Sequence, residues 1–284
     1  MPLAHGATGA VVRALQLKLL ALGYPLPRWG ADGSLGSETM QALALFLADH
    51  GHPLAELPGE VTDYDLELVS RLAAEVAPAP DVPAGRFYDR RHAASRAFVR
   101  GVRSWRAITG ITLHQTACVL GEEPTRWQTI GAHVGVTRAG RVVWIHDFTS
   151  LVIHGNGFNA STVGIECDGM YAGVEGDART FWRPASEPGR QPQTPTLELE
   201  LAARAVIRWV VAEVARHGGQ VKHLFAHRQA SADRQSDPGS ALWQRVAMPA
   251  HAELGLDAGP PGYRVGSGLP LPEAWDASRV GTRY

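Results

Sequence analysis

The sequence has few charged residues and almost no cysteine. Asp, Glu, Lys and Arg make up 19% of its 284 residues, and the formal net charge is -1. Because a nucleic-acid partner requires clustered basic side chains, and no run of Lys or Arg occurs, this composition argues against nucleic acid as a partner. The two cysteines, Cys118 and Cys167, are too few for a disulfide scaffold. We expect two buried free thiols, with one disulfide between them as the alternative.

Long hydrophobic runs are absent as well. No apolar stretch reaches the length of about 18 residues that a membrane span needs, so no membrane segment is predicted. The opening residues, MPLAHGATGA, lack the basic start and the apolar stretch of a secretory signal. We therefore expect a chain made soluble in the cytoplasm without a signal peptide. A hydrophobic content of 45% predicts a globular protein, and its length favours two domains.

Composition divides the chain into four segments. The prolines of VAPAPDVPAG interrupt the periodic pattern on either side and predict a linker. The predicted units are a small helical domain at 1–75, a Pro-rich linker at 76–87, a second domain at 88–257 and a Gly/Pro-rich tail at 258–284. The tail has little pattern, and we expect it either to cover the second domain or to be disordered.

The first unit is predicted to contain three helices: VVRALQLKLLALG, SETMQALALFLADHG and TDYDLELVSRLAAE. Ser37 is the expected N-cap of the second helix, and Thr62 with Asp65 forms a capping box at the third. The loop between the first two helices carries Trp29, which could stack on a sugar. Composition alone favours a purely structural unit without a binding role.

The second unit alternates strands and helices. Strands are predicted at ITGITLHQTA, STVGIECDG and HLFAH, and HVGVTRAGRVVWIHDF reads as a hairpin turning at Ala139 and Gly140. A long helix should begin with Thr194 as cap and end at Gly218 and Gly219. Helices between several strands favour an α/β fold with a mixed central β-sheet flanked by helices.

The segment HLFAHRQASADRQSDPG contains two histidines four residues apart. On a helix, His223 and His227 would lie about 6 Å apart and could share a metal ion. On a strand they would lie about 13 Å apart, too far for one ion. The helical zinc motif also requires Glu after the first His, where this chain has Leu224. We favour the strand, with His223 structural or at its solvated entry and His227 directed at a site.

Alternation along two other strands places further polar groups on one face. His114 lies on the polar face of ITLHQTA, and Glu166 lies on that of VGIECDG, where Cys167 packs on the opposite side. Two His nitrogens and one Asp oxygen would give zinc three ligands and leave a fourth position for water. Asp237 follows His227 in the same loop and is the natural oxygen donor.

The first unit contains the pattern G-x-x-V-x-x-L-Q-x-x-L-x-x-x-G-Y and then D-G-x-x-G-x-x-T-x-x-A-x-x-x-F. This pattern resembles the peptidoglycan-binding domain that accompanies many cell-wall hydrolases. Leu47 stands where that family usually has Gln. Most matching apolar positions belong to the core, so the pattern supports the fold more than it locates a binding surface. The matching residues are Gly9, Val12, Leu15, Gln16, Leu19, Gly23, Tyr24, Asp32, Gly33, Gly36, Thr39, Ala42 and Phe46.

The second unit resembles the zinc-dependent N-acetylmuramoyl-L-alanine amidases of the second type, whose superfamily includes the peptidoglycan recognition proteins. The matching stretches are ITLHQTA, AHVGVTRAGRVV, IHGNGFNASTVGIE and AHRQASADRQSDPG, in the family's order. The resemblance implies Zn²⁺ as cofactor, with His114, His227 and Asp237 as ligands. It also implies Glu166 as the catalytic carboxylate.

The resemblance implies further site residues and shows two departures. His154 falls at a substrate-contacting position, in I-H-G where the family usually has W-H-A-G, and Asn159 and Arg234 are further expected substrate contacts. Gln235 stands where many members carry a Lys that stabilises the oxyanion, so it is expected to act as a neutral donor. His133 is expected to pack below the site.

The implied activity is hydrolysis of the amide between the lactyl group of N-acetylmuramic acid and L-Ala in bacterial peptidoglycan. The chain would act as a monomer without a membrane partner, as a phage endolysin or an exported antibacterial effector. The alternatives are a recognition protein that binds without cutting, and a glycosidase, which would need paired carboxylates. The segment FWRPASEPGRQPQ is either a substrate-side loop or an irregular insertion.

Overall fold

The computed structural model describes residues 2–52, 57–74 and 79–284. Residues 76–78 of the predicted linker, and residue 75 at the end of the third predicted helix, lie outside these ranges. Within them, no helix is both long and apolar enough to cross a bilayer.

The described residues of the N-terminal unit form three helices and a short strand pair. The helices are α1 (Ala10–Ala21), α2 (Ser37–Asp49) and α3 (Asp63–Ala74). Strands β1 (Leu3–Ala4) and β2 (Glu60–Val61) pair antiparallel and connect the start of the unit to the start of α3. The apolar faces of α1 and α2 are buried, which agrees with the spacing of their hydrophobic residues.

One of the two predicted caps in this unit is correct. The Thr62 N–H donates to Asp65 Oδ2 at 2.9 Å, and the Asp65 N–H donates to Thr62 Oγ1 at 3.2 Å, which completes the capping box. The expected N-cap at Ser37 is wrong, because the extended cap residue is Gly36. Ser37 already belongs to the first helical turn, where its hydroxyl is not positioned to accept the free N–H groups.

The second unit is built on a six-stranded mixed sheet, which confirms the predicted fold class. Its order is β10-β5-β9-β6-β7-β3. Neighbours β10, β5, β9 and β6 are parallel, whereas β6 and β7 form the predicted antiparallel hairpin. A separate antiparallel pair joins β4 to β8. The strands are β3 (Phe87–Asp89), β4 (Val99–Val102), β5 (Gly110–Gln115), β6 (Val134–Val136), β7 (Val142–Trp144), β8 (Ser150–Val152), β9 (Thr162–Cys167) and β10 (His223–Ala226).

The long helix α4 (Leu197–Arg216) packs against this sheet through Leu199, Val206 and Val210, which are fully buried. Its N-cap is Thr196, whose hydroxyl accepts the Leu199 N–H at 3.3 Å, so the predicted cap at Thr194 is wrong. The helix therefore begins at Leu197, two residues later than predicted.

The chain after α4 completes the second unit. The helix ends at its C-cap, His217, and the left-handed Gly218 follows, as predicted. Two shorter helices, α5 (Ser240–Leu242) and α6 (Met248–Leu254), follow the loop after β10.

The tail at 258–284 contains no regular helix or strand and packs over the second unit. Leu271 and Trp275 are buried in the same hydrophobic core. The Arg228 guanidinium lies 5.2 Å from the Trp275 ring and 5.0 Å from the Tyr284 ring. Tyr284 Oη lies 2.7 Å from Ser236 Oγ. The tail therefore covers the back of the loop that follows β10.

The two units share one hydrophobic core. At their junction, Asp49 Oδ2 accepts hydrogen bonds from the Trp105 N–H and the Tyr24 hydroxyl, both at 3.0 Å. Trp105 also stacks on His217, with ring centroids 4.2 Å apart. Burial raises the pKa of the Asp49 carboxyl above its ordinary value. The first unit thus packs directly on the second, while the domain boundaries at 1–75 and 88–257 stay predictions.

Candidate metal centre and active site

The sheet brings three predicted residues together at one edge of the second unit. His114 on β5 faces Glu166 on β9, because these two residues are partners in the parallel register. Strand β10 is parallel to the other side of β5, with Ala226 opposite Leu113. The next residue, His227, therefore leaves β10 beside His114. His114 is completely buried and His227 is nearly so.

The two imidazoles and one carboxylate converge through defined atoms. His114 Nδ1 lies 2.9 Å from His227 Nδ1. Asp237 Oδ2 lies 2.9 Å from His227 Nδ1 and 3.9 Å from His114 Nδ1. These potential ligand atoms all lie within 4.8 Å of one another. Two nitrogens and one oxygen in this arrangement are a donor set that suits zinc.

The hydrogen bond at His227 Nε2 indicates that these atoms fit a cation. His227 Nε2 lies 2.8 Å from the amide oxygen of Asn156, which can only accept a hydrogen bond. The neutral imidazole therefore carries its proton on Nε2, and its Nδ1 lone pair faces the Asp237 carboxylate. Two acceptors at 2.9 Å repel each other unless a second proton or a metal ion lies between them. A metal ion between them would relieve that repulsion, so the residues present fit the group.

Asp237 is oriented by the backbone around it. Its Oδ1 accepts the Gln115 N–H at 2.9 Å, which directs Oδ2 toward the two imidazoles. The Arg228 N–H donates to the Asp237 carbonyl at 3.0 Å and holds the loop against β10. Burial acts to raise the pKa of the Asp237 carboxyl, but contacts with His114 and His227 outweigh it and hold the pKa well below its usual range. This carboxylate is ionised at neutral pH.

Glu166 occupies a different environment beside the same cluster. Its Oε2 is enclosed and has no hydrogen-bond partner in the described ranges. Burial raises the pKa of this carboxyl well above its usual range, and the negative charge of Asp237 raises it further, whereas Arg234 acts in the opposite direction. Two carboxyl groups with pKa values shifted apart can take separate roles, with Glu166 suited to exchanging a proton.

The cleft beside these groups has a volume of about 270 Å³. Arg234 and Gln235 line it together with Asp237, and both side chains are exposed. Phe181, at the start of the segment FWRPASEPGRQPQ, also lines it. This segment thus lies beside the cluster, as the interpretation as a substrate-side loop required. Other lining residues include Ala117, Met170, Tyr171, Trp182 and Arg183.

Two residues expected to contact substrate lie elsewhere. His154 is buried beneath His114, with its Nδ1 3.1 Å from His114 Nε2 and its Nε2 3.2 Å from the Thr162 carbonyl oxygen. Asn159 Oδ1 accepts the backbone N–H groups of His154 and Gly155 at 2.9 and 2.7 Å. Neither residue lines the cleft, because these internal partners occupy the nitrogens of His154 and the amide oxygen of Asn159. His114, His227 and Glu166 are not among its lining residues either, so the expected substrate contacts of His154 and Asn159 stay predictions.

The other histidines that the sequence singled out do not join the cluster. His223, at the start of β10, is partly exposed and lies 2.8 Å from Asp257 Oδ1. His133 is buried below the site, where its Nδ1 accepts the Gly164 N–H at 2.9 Å and its Nε2 lies 3.0 Å from the Ser150 carbonyl oxygen. Both nitrogens of His133 therefore have structural partners.

Both cysteines are free, so the disulfide alternative is excluded. Cys167 is buried as expected, since it lies on the core face of β9. Cys118 is exposed, and the expectation of two buried thiols is wrong for it. It follows Ala117, whose φ of 51° turns the chain outward after β5.

Three residues that position the site were missed from the sequence. They are Asn156 behind His227, Gln115 behind Asp237, and Gly164 beneath His154. Gly164 did carry a signal, because a glycine inside a strand often marks a close approach by another group. A Cβ there would lie 2.6 Å from His154 Nδ1. Asn156 and Gln115 act through contacts with residues distant in the sequence, which no local pattern reveals.

Comparison with known proteins identifies the same region. Residues 104–240 match the family model described as N-acetylmuramoyl-L-alanine amidase. This match supports the type 2 amidase superfamily for that segment. The predicted metal, catalytic and substrate-binding residues lie within it.

Curated relatives carry the same activity in their names. N-acetylmuramoyl-L-alanine amidase CwlL of Bacillus licheniformis is 39% identical over 67 residues, 24% of this chain and 19% of that protein. A probable N-acetylmuramoyl-L-alanine amidase of the same species is 34% identical over 83 residues, 29% of this chain and 23% of that protein. The chain thus spans about a fifth of the length of these relatives. The solved structure of the amidase LysC from Clostridium intestinale URNW aligns with a TM-score of 0.40 and 14% identity, covering 62% of this chain and 99% of that one.

Proposed function

We propose that this protein is a zinc-dependent N-acetylmuramoyl-L-alanine amidase. The substrate bond is the amide between the lactyl group of N-acetylmuramic acid and the L-Ala of the stem peptide. One observation carries the proposal: His114 Nδ1, His227 Nδ1 and Asp237 Oδ2 converge beside Glu166, inside the segment that matches the amidase family.

The ligand atoms and the carboxyl have separate roles in this reaction. His114, His227 and Asp237 hold the zinc, which when bound supplies the Lewis acidity that polarises a carbonyl group and acidifies water. Glu166 takes a proton from the attacking water and returns it to the leaving amine. The hydroxyl of that water joins the carbonyl carbon, the C–N bond breaks, and the products are a carboxylic acid and the free L-Ala amine.

The cleft provides two groups for the developing negative charge. Gln235 offers a neutral N–H donor to the oxyanion, and Arg234 brings a positive charge to the same wall of the cleft. Arg234 also accounts for part of the charge that acts on Glu166. We assign Gln235 to oxyanion stabilisation and Arg234 to substrate binding.

The N-terminal unit is proposed to bind peptidoglycan. A groove of about 620 Å³ runs between its α1–α2 loop and Val102 of β4. Trp29 lies in this groove, 63% exposed, with the Arg28 guanidinium 5.0 Å from its ring. An exposed indole can stack on a sugar, and a second binding site raises the local concentration of substrate at the active site. A phage endolysin or an exported bacteriolytic effector is the biological setting that we propose.

A digest of purified peptidoglycan tests this function. The protein is assayed as prepared, after treatment with a chelator, and after zinc is restored, and both new L-Ala amines and new reducing ends are measured. We expect zinc-dependent release of amines with no new reducing ends. Reducing ends would indicate a glycosidase, and sedimentation with the wall without cleavage would indicate a recognition protein. Glu166→Gln, with Glu123→Gln as its surface control, links any activity to the proposed site.

A further inference from the structure

His154 connects the proposed metal site to the backbone of β9. Its ring lies against that of His114, with centroids 5.3 Å apart and an interplanar angle of 85°. Gly164 makes room for it, since a Cβ there would lie 2.6 Å from His154 Nδ1. The side chain is therefore built into the sheet face, and it is 8% exposed.

The hydrogen bonds of His154 determine where its proton lies. The Thr162 carbonyl oxygen can only accept, and His154 Nε2 lies 3.2 Å from it. Nε2 must therefore carry a hydrogen. The same carbonyl also accepts from the Arg103 guanidinium at 2.7 Å. This buried positive charge, with no carboxylate hydrogen-bonded to His154 among the described residues, disfavours a second proton on the ring.

The position of the proton on His154 determines which nitrogen of His114 is protonated. With its hydrogen on Nε2, neutral His154 presents an acceptor at Nδ1, which lies 3.1 Å from His114 Nε2. His114 Nε2 must then donate, and a neutral imidazole has only one N–H. The lone pair of His114 is consequently on Nδ1, the atom that faces His227 and Asp237.

We propose that His154 is a positioning residue that fixes His114 in the Nε2–H tautomer and so presents Nδ1 to the metal. This role rests on the proposed metal site. The chain Thr162 carbonyl, His154, His114 has one consistent proton order, which begins at a backbone atom that cannot change its role. A partner of this type orients the ligand ring and fixes which nitrogen binds.

Zinc affinity provides the first test. Dissociation constants are measured by competition with a chromophoric chelator for the wild-type chain, His154→Gln and His154→Leu. Gln offers an acceptor oxygen and a donor nitrogen in place of the two ring nitrogens, whereas Leu offers neither. We expect His154→Leu to bind zinc about 10- to 100-fold more weakly and His154→Gln to recover most of this loss. His223→Gln, remote from the cluster, is the control.

Imidazole NMR provides a second test that needs neither metal nor a variant. In the metal-free wild-type protein, we expect both His114 and His154 to carry their proton on Nε2. A proton on Nδ1 of either ring would overturn the proposal, as would unchanged zinc affinity in His154→Leu. If the wild-type chain binds zinc and His154→Leu does too, the metal site stands and only the role of His154 fails. If the wild-type chain binds no zinc, the metal site fails, and this role with it.

Discussion

His114 and Glu166 are facing partners in the parallel register of β5 and β9. Neighbouring side chains at such positions project from the same face of a sheet. The proposed metal ligand and the proposed proton carrier are therefore fixed relative to each other by backbone hydrogen bonds. A rigid strand pair holds both groups more accurately than loops would.

This geometry predicts that Glu166 acts in chemistry rather than in metal binding. Glu166→Gln should lower kcat by about 10²- to 10⁴-fold, the usual contribution of a positioned acid–base group. Zinc affinity should remain unchanged, because Glu166 is not among the converging ligand atoms. Amine release and chelator competition measure the two quantities. A loss of zinc in Glu166→Gln would contradict this division of roles.

Glu166 also predicts a pH dependence of stability in the metal-free protein. Burial and the charge of Asp237 raise the pKa of this carboxyl in the folded state. An acid with a raised folded-state pKa favours folding at low pH, and this contribution is lost as pH rises above the unfolded-state value. Glu166→Gln should therefore be more stable than the wild-type chain at about pH 8, with a smaller difference near about pH 4. Urea unfolding at both pH values measures the difference in free energy of unfolding between the two proteins. An equal difference at both pH values would contradict the prediction.

Asn156 should support zinc binding through His227. Its amide oxygen lies 2.8 Å from His227 Nε2, and its φ of 53° is one that glycine adopts easily. Asn156→Gly keeps the backbone but removes the acceptor, so zinc affinity should fall about 10- to 100-fold. Asn156→Asp keeps an acceptor and should retain affinity. Equal affinities for the two variants would exclude this role.

The junction of the two units should contribute to global stability. Asp49→Ala leaves the buried Trp105 N–H and Tyr24 hydroxyl without their acceptor, at a cost of about 1–3 kcal/mol for each unpaired group. Asp49→Asn keeps one acceptor oxygen and should lose less. Because the units share a core, both variants should unfold in a single calorimetric transition. Two separate transitions in the wild-type chain would show that the units unfold independently.

Substitutions of Gln235 test its proposed role in stabilising the oxyanion. A charged donor forms a stronger hydrogen bond to an oxyanion than a neutral one. Gln235→Lys should therefore raise kcat, by about tenfold or more, while Gln235→Ala lowers it. KM should change less than kcat, since the oxyanion exists only in the transition state. A rise in KM with unchanged kcat would instead assign Gln235 to substrate binding.

The sequence by itself determined the class of fold and the side of the sheet on which the site lies. Two-residue alternation assigned His114 and Glu166 to polar faces, and glycines placed the β6–β7 turn and the end of α4. These features follow from local geometry, because the side-chain direction along a strand and the backbone freedom of glycine depend on adjacent residues alone. The exact ends of helices were predicted less accurately, since Gly36 and Thr196 cap their helices where Ser37 and Thr194 were expected.

Only the tertiary structure decided which groups hold the proposed ligands. His154 lies beneath His114, because Gly164 leaves space for it 10 residues further along the chain. The tail at 258–284 could have been disordered, yet Trp275 and Tyr284 pack on Arg228 behind the loop that carries Asp237. The hydrogen-bond partners of a buried group are the groups that the whole fold brings within about 3 Å of it, the usual distance between donor and acceptor. The spacing of residues along the chain does not predict these partners.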